Sequence, residues 1–230
     1  MKARLMAGVL GVMMAFSFAF AQDFATSVGQ GSKGLLFSFS GLSNLGVNNF
    51  NGGLGGKFFL SNAMALRAAI LFSHANQEVL ANPGVGQVGT DGSQTGTEFG
   101  ISAGMEYHLL STRVSPYVGA EIGFSSASTE SKSAGSVTPP TVFTQTTTKN
   151  STGGLLGYLA GMNISISAIL GVEFFLTKEL SLAGEYQLGY GMLSRPDMEV
   201  ITGPTTTKTK SGSFSAIGVS TTALTLAVYF

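Results

Sequence analysis

Thr97-Glu-Phe-Gly-Ile-Ser-Ala-Gly-Met-Glu-Tyr-His108 alternates without a break. Phe99, Ile101, Ala103, Met105 and Tyr107 fall on one phase; Glu98, Gly100, Ser102, Gly104, Glu106 and His108 fall on the other. A period of two belongs to a β-strand, whose successive side chains point to opposite faces. One face of this strand is therefore apolar, and the other is small or charged.

The same reading extends along the chain. The apolar phase is Leu66, Ala68, Ile70 and Phe72 in one run and Val118, Ala120, Ile122 and Phe124 in another. It continues as Ile164, Ile166, Ala168, Leu170, Val172 and Phe174, then Leu182, Gly184, Tyr186, Leu188, Tyr190 and Met192, and finally Leu224, Leu226, Val228 and Phe230. Turn-forming residues divide the chain into eight such runs, expected at 33–42, 50–60, 65–75, 96–108, 114–125, 162–176, 180–193 and 213–230. Their length and alternation suit transmembrane strands, which need roughly 9–11 residues to cross a bilayer.

The charges test that reading independently. A lysine or arginine facing lipid at mid-membrane costs about 2–4 kcal/mol, so strand charges should fall on the phase opposite the apolar one. Lys57, Arg67, Glu98, Glu106, Glu121, Glu173 and Glu185 all do. They are expected to form a charge network in a barrel lumen, with Lys57, Arg67, Glu106, Glu173 and Glu185 in one layer near the short turns. Buried charges are normally paired, which favours a structural plug of salt bridges. The competing reading, an acidic cation-conducting lumen, rests on the excess of glutamate.

Composition agrees. Mean hydropathy is positive at +0.32, yet charged residues make up only 10% of the chain, where soluble domains carry about 25%. No run of about 18 apolar residues follows the N-terminal segment, so the apolar content is not that of membrane helices. Net charge is zero and no basic patch suggests nucleic acid. The absence of cysteine excludes disulfide staples, thiol nucleophiles and thiolate metal sites.

Residues 1–21 combine Lys2 and Arg4 with an apolar stretch and small residues at Ala19 and Ala21, the pattern of a cleavable secretory signal peptide. Residues 22–230 then form one domain. The connections alternate in length: 60–65, 109–114 and 176–180 are short, whereas 78–95, 126–162 and 194–212 are long, with 43–49 the short member of the second set. Short periplasmic turns and long outer loops are the asymmetry of an outer-membrane barrel. Two of the long loops share a threonine-rich theme, Thr138-Pro-Pro-Thr-Val-Phe-Thr-Gln-Thr-Thr-Thr-Lys149 and Thr202-Gly-Pro-Thr-Thr-Thr-Lys-Thr-Lys210, which either extends the strands as hairpins or stays mobile. Leu156, Tyr158, Ala160 and Met162 keep the phase of the sixth run, which leaves ten strands open beside eight.

The ending Leu224-Thr-Leu-Ala-Val-Tyr-Phe230 resembles the C-terminal assembly signal of bacterial outer-membrane proteins; the resemblance implies that Leu226, Val228 and Phe230 engage the barrel-assembly machinery. Gly56-Lys-Phe-Phe-Leu-Ser-Asn-Ala-Met-Ala-Leu-Arg-Ala68 resembles the strand, turn, strand unit of the OmpA/OmpX-like outer-membrane β-barrel family. That likeness covers essentially residues 30–230 and implies fold and location rather than activity. The chain stops at the final strand, so the peptidoglycan-binding domain that often follows in OmpA-type proteins is not expected.

Chemical signatures are few. His74 and His108 are the two histidines, and Ser73 beside His74 points to the opposite strand face, which prevents a direct Ser–His hydrogen bond. His74 reads as an interfacial residue at the outer rim. His108, with Glu106 two residues away, reads as interfacial packing without a serine nucleophile beside it. No metal-ligand spacing and no phosphate loop occurs, and Gly52, Gly53, Gly55 and Gly56 read as closely packed strand positions. Tyr107, Tyr158, Tyr186, Tyr190, Phe58, Phe99, Phe174 and Phe230 are candidates for interfacial girdles, whereas Tyr117 and Tyr229 fall on the inward phase and are expected to join the lumen network.

The expectation is an all-β, eight-stranded, antiparallel, up-and-down transmembrane barrel in the outer membrane. It is read as a non-enzymatic monomer with a largely plugged lumen and no cofactor. Its partners are outer-membrane lipid and lipopolysaccharide, and its outer loops carry envelope structure or adhesion to an unknown ligand. A narrow porin or OmpW-like conduit is the alternative.

Overall fold

The computed structural model describes residues 28–39, 52–151 and 159–230. Thirteen strands occur there: β1 Lys33–Phe39, β2 Gly52–Phe59, β3 Met64–Val79, β4 Val88–Thr90, β5 Gly92–His108, β6 Val114–Lys132, β7 Gly135–Val137, β8 Thr146–Lys149, β9 Gly161–Phe175, β10 Leu180–Ser194, β11 Met198–Thr202, β12 Thr205–Thr209 and β13 Ser213–Tyr229. Eight of them form a circuit, β1-β2-β3-β5-β6-β9-β10-β13, in which every neighbouring pair is antiparallel and β13 returns to pair with β1. Closure removes sheet edges around this circuit, leaving no backbone donors to satisfy in an apolar medium. The barrel is thus complete with eight strands, not ten. The signal segment, the 43–49 loop, Leu156 and Tyr158 lie outside the described residues.

Register aligns the apolar phases of adjacent strands into rows. Ile70 faces Ile101, Ile101 faces Phe124, Phe124 faces Ile164 and Ile164 faces Met192, an unbroken apolar row across five strands. These side chains point away from the barrel: Ile70 is 54% exposed, Ile101 49% and Ile164 51%. A contiguous apolar surface of this extent is foreign to a soluble monomer and is what a lipid-facing band requires. The candidate girdle residues Phe58, Tyr107, Tyr186, Tyr190 and Phe99 are on this outer surface. His74 is also exposed on the outward phase and bonds Thr97 Oγ1 at 2.9 Å.

The opposite phase fills the lumen in tiers. Phe59, Phe175 and Tyr229 form an aromatic base at the short-turn end, with ring centroids 5.8–6.1 Å apart. Charged residues stand above it. Tyr117, Ile169 and Ala183 make a second buried cluster. Tyr117 lies across Gly171 on the neighbouring strand, where an added Cβ would run into the phenol ring. Glycine is needed at that position because a large ring occupies the space a side chain would take.

Three strands run further than the hydrophobic pattern suggests: β3 to Val79, β5 from Gly92 and β6 to Lys132. Alternation fades there because the residues are threonine, serine and charged types, while the β-prone backbone keeps pairing. The threonine-rich loops take the hairpin course. β8 replaces β9 as partner of β6, β11 pairs with β8, and β12 pairs with β11. The register brings Asn76, Thr95, Glu130, Lys149, Glu199 and Lys208 into one cross-strand row on the outward phase. Glu199 and Lys208 meet at 2.6 Å, and the lysine holds that exposed carboxyl below its usual range through their hydrogen bond. A polar sheet therefore stands above the apolar band.

Candidate functional site

The lumen is where chemistry collects. β2 supplies Lys57, β3 Arg67, β5 Glu98, Glu106 and His108, β6 Ser115, Tyr117 and Glu121, β9 Glu173, β10 Ser181, Glu185 and Gln187, and β13 Tyr229. All share the inward phase of their strands, so the register alone brings residues more than a hundred positions apart into contact.

Two cations bridge four carboxylates. Lys57 Nζ lies 2.7 Å from Glu106 and 3.3 Å from Glu173; Arg67 lies 2.8 Å from Glu106, 2.6 Å from Glu185 and 3.0 Å from Glu121. Each of the three deepest carboxylates meets three side-chain partners. Glu106 is joined by Lys57, Arg67 and His108, the last at 3.2 Å. Glu173 accepts from Lys57, from Tyr229 and, at a short contact, from the Ser181 hydroxyl. Glu185 accepts from Arg67, from Tyr117 at 2.7 Å and from Gln187 at 3.2 Å. Glu106 and Glu173 are completely buried. Such charges persist in a dry interior only with this density of partners.

The other two sequence candidates stand apart. Glu121 Oε2 is within ion-pair distance of Arg67, yet the contact is not aligned as a hydrogen bond, so this buried oxygen is paired electrostatically and left without a hydrogen-bond donor. Glu98 is half-buried and takes no part in the ion pairs around Arg67 and Lys57. Both line an open cavity of about 700 Å3 above the charged layer. Its wall is made of small and polar residues, among them Ser165, Ser167, Gly189 and Gly191.

His108 corrects the sequence reading. It is buried in the lumen rather than packed at an interface, stacked on Tyr117 at 5.1 Å between ring centroids. Its inward phase, shared with Glu106, dictates this position. A serine does stand beside it: Ser115 Oγ is 2.8 Å from His108 Nδ1, while Nε2 faces Glu106. The order Ser, His, Glu is that of a hydrolytic triad, but its serine and its carboxylate are engaged by other partners. Ser115 is 2% exposed and donates its hydroxyl to the Leu110 carbonyl at 2.5 Å, and Glu106 is already held by both cations. None of the three lines the cavity. The arrangement ties the 109–113 turn to the charged layer. No group of metal-ligating side chains is found among the described residues.

A closed, eight-stranded, antiparallel barrel with an apolar exterior, a charged interior and short turns at one end defines the small outer-membrane type of β-barrel. Among solved structures, the chain is similar to the N-terminal β-barrel domain of Pseudomonas aeruginosa OprF, with 13% identity, a TM-score of 0.32 and coverage of 88% of this chain and 100% of that one. It is also similar to a major outer membrane protein from Thermus thermophilus, with 14% identity, a TM-score of 0.41 and coverage of 86% and 99%. No protein-family model and no curated protein matches the chain.

Proposed function

We propose that the protein is a non-enzymatic barrel of the bacterial outer membrane, exported by its N-terminal segment, and closed by the ion-pair layer. In this reading it contributes to envelope structure or surface adhesion through its long loops. One observation carries the reading. The short-turn end of the lumen is filled by saturated ion pairs on an aromatic base, while the opposite end rises into a polar sheet built from the loops. Eight-stranded barrels have interiors just wide enough for their own side chains to fill, which also favours closure.

Lipid and lipopolysaccharide surround the apolar band of this monomer. Leu226, Val228 and Phe230 present the terminal strand to the assembly machinery; Phe230 is 73% exposed, while its backbone bonds Lys33. The cavity above the charges supports a second reading, a narrow conduit for small molecules. Steady single-channel current from the native barrel would favour that reading.

The surface role is tested on intact cells. Trypsin added outside should cut after Lys149, Lys208 or Lys210 and spare Lys57 and Arg67. Replacing 133–160 and 195–212 by short turns should leave a folded barrel, judged by its compact gel mobility, while adhesion or envelope integrity falls several-fold. Unchanged adhesion and integrity in the loopless barrel would refute the role assigned to the loops.

A further inference from the structure

Thr-Thr-Thr-Lys occurs twice in the outer sheet, at 146–149, which is β8, and at 205–208 in β12. Both copies pair antiparallel with β11, one on each side and in the same register. Thr146 and Thr205 meet Thr202, and Lys149 and Lys208 meet Glu199. The copies are equivalent toward β11 and differ in what lies beyond. β8 has a second antiparallel neighbour, β6, which sets Glu130 opposite Lys149. β12 ends the sheet: among the described residues it pairs with β11 alone, and all five of its residues are exposed. Lys149 thus stands between two glutamates, whereas Lys208 has a cross-strand glutamate on one side only, Glu199 at 2.6 Å.

The backbone of β12 is open on that vacant side. Gly203 and Pro204 close the β11–β12 hairpin, which makes Thr202 and Thr205 its first hydrogen-bonded pair and Val200 and Thr207 the next. Thr206 and Lys208 therefore turn their N–H and C=O groups away from β11. Unpaired backbone of this kind is a template for an added strand. A lysine on such an edge guards against indiscriminate pairing, and it narrows the guest to one that sets a carboxylate opposite. Both strands that already pair with a Thr-Thr-Thr-Lys copy do so, β6 through Glu130 and β11 through Glu199.

We propose that β12 docks an extended, acidic segment of a partner protein as an added antiparallel strand, with a carboxylate of the guest facing Lys208. The molecule displays the kind of guest in β11 itself, Met198-Glu-Val-Ile-Thr202, where β-branched residues accompany one acid. Main-chain bonds to Thr206 and Lys208 supply the affinity, and the lysine sets the register. This rests on the reading that the long loops act in surface interaction, and it names the class of partner they hold.

The test is NMR titration of the isotope-labelled, refolded chain in an uncharged maltoside detergent at low ionic strength. The probe, taken to millimolar concentration, is an end-blocked peptide of the 197–203 sequence, Asp-Met-Glu-Val-Ile-Thr-Gly, and its control carries lysine in place of the glutamate. The acidic peptide should shift the amides of Thr206 and Lys208 and leave those of Thr146–Lys149 in place. Lys208→Gln should weaken binding about two- to fivefold, the scale of one cross-strand ion pair. Thr206→Pro removes an N–H from the open side while keeping the bonded pairs with β11, and should weaken binding about tenfold or more. Lys132→Gln, inside the same sheet, should bind as the native chain does. Compact gel mobility establishes that each variant is folded. Absence of binding, equal binding of the lysine peptide, native affinity in folded Thr206→Pro, or shifts at β8 that report exchange of β11 for the peptide would overturn the proposal. The titration uses the purified barrel, so its failure is distinct from unchanged adhesion of the loopless barrel, which refutes the surface role itself.

Discussion

Arg67→Met should destabilise the refolded barrel by about 3–5 kcal/mol, the cost of removing one partner from a buried charge network. The arginine joins three carboxylates, Glu106, Glu121 and Glu185, and is the cation paired with the last two, while Lys57 is the other cation of the layer among the described residues. Its loss strands carboxylates in a lumen already rich in negative charge. Glu106→Gln removes negative charge instead, and Lys57 retains Glu173 while Arg67 retains Glu185 and Glu121. It should therefore cost clearly less than Arg67→Met. Urea unfolding in lipid vesicles measures both. Equal costs would mean that the layer is held by its packing alone and not by its charge balance.

The second large effect concerns the outer surface. Ile122→Arg should destabilise the barrel in lipid by about 2–4 kcal/mol, because Ile122 lies in the middle of the apolar band and is 58% exposed. On a water-soluble barrel the same exposed site would tolerate arginine almost without cost. The effect should diminish toward the rim, where Thr97→Arg, on the same outward phase of β5 and beside His74, should cost no more than about 1 kcal/mol. A neutral result at Ile122 in lipid would remove the band from the bilayer.

Much of this architecture was legible because the strand period is so simple. Phase alone placed Glu98, Glu106, Glu121, Glu173 and Glu185 on one side and the isoleucines on the other, and the runs met the strand ends within a residue at the short turns, though β6 continues seven residues past the expected 125 at the other end. Phase carries no height, however. That Lys57 reaches both Glu106 and Glu173, while Glu98 stands in the cavity wall outside the ion pairs, depends on the stagger between strands, which no single strand encodes. Ser115 escaped for a related reason: its contact with His108 crosses a turn, and its bond to Leu110 depends on the shape of that turn. The outer sheet was left open because threonine-rich segments carry β propensity without an apolar phase. Only pairing decides their course, as where Thr146 and Thr202 meet across β8 and β11.

The central claim is that the ion-pair layer closes the lumen, and ionic current through a planar bilayer tests it most directly. The native refolded barrel should be silent, and Lys57→Ala/Arg67→Ala should conduct steadily, because the two side chains that draw the carboxylates together are gone. The charge-balanced Lys57→Ala/Glu106→Ala serves the same purpose should the first variant refold poorly. Steady current through the native protein would contradict closure, and silence in folded variants would move the seal from the charges to the aromatic base beneath them.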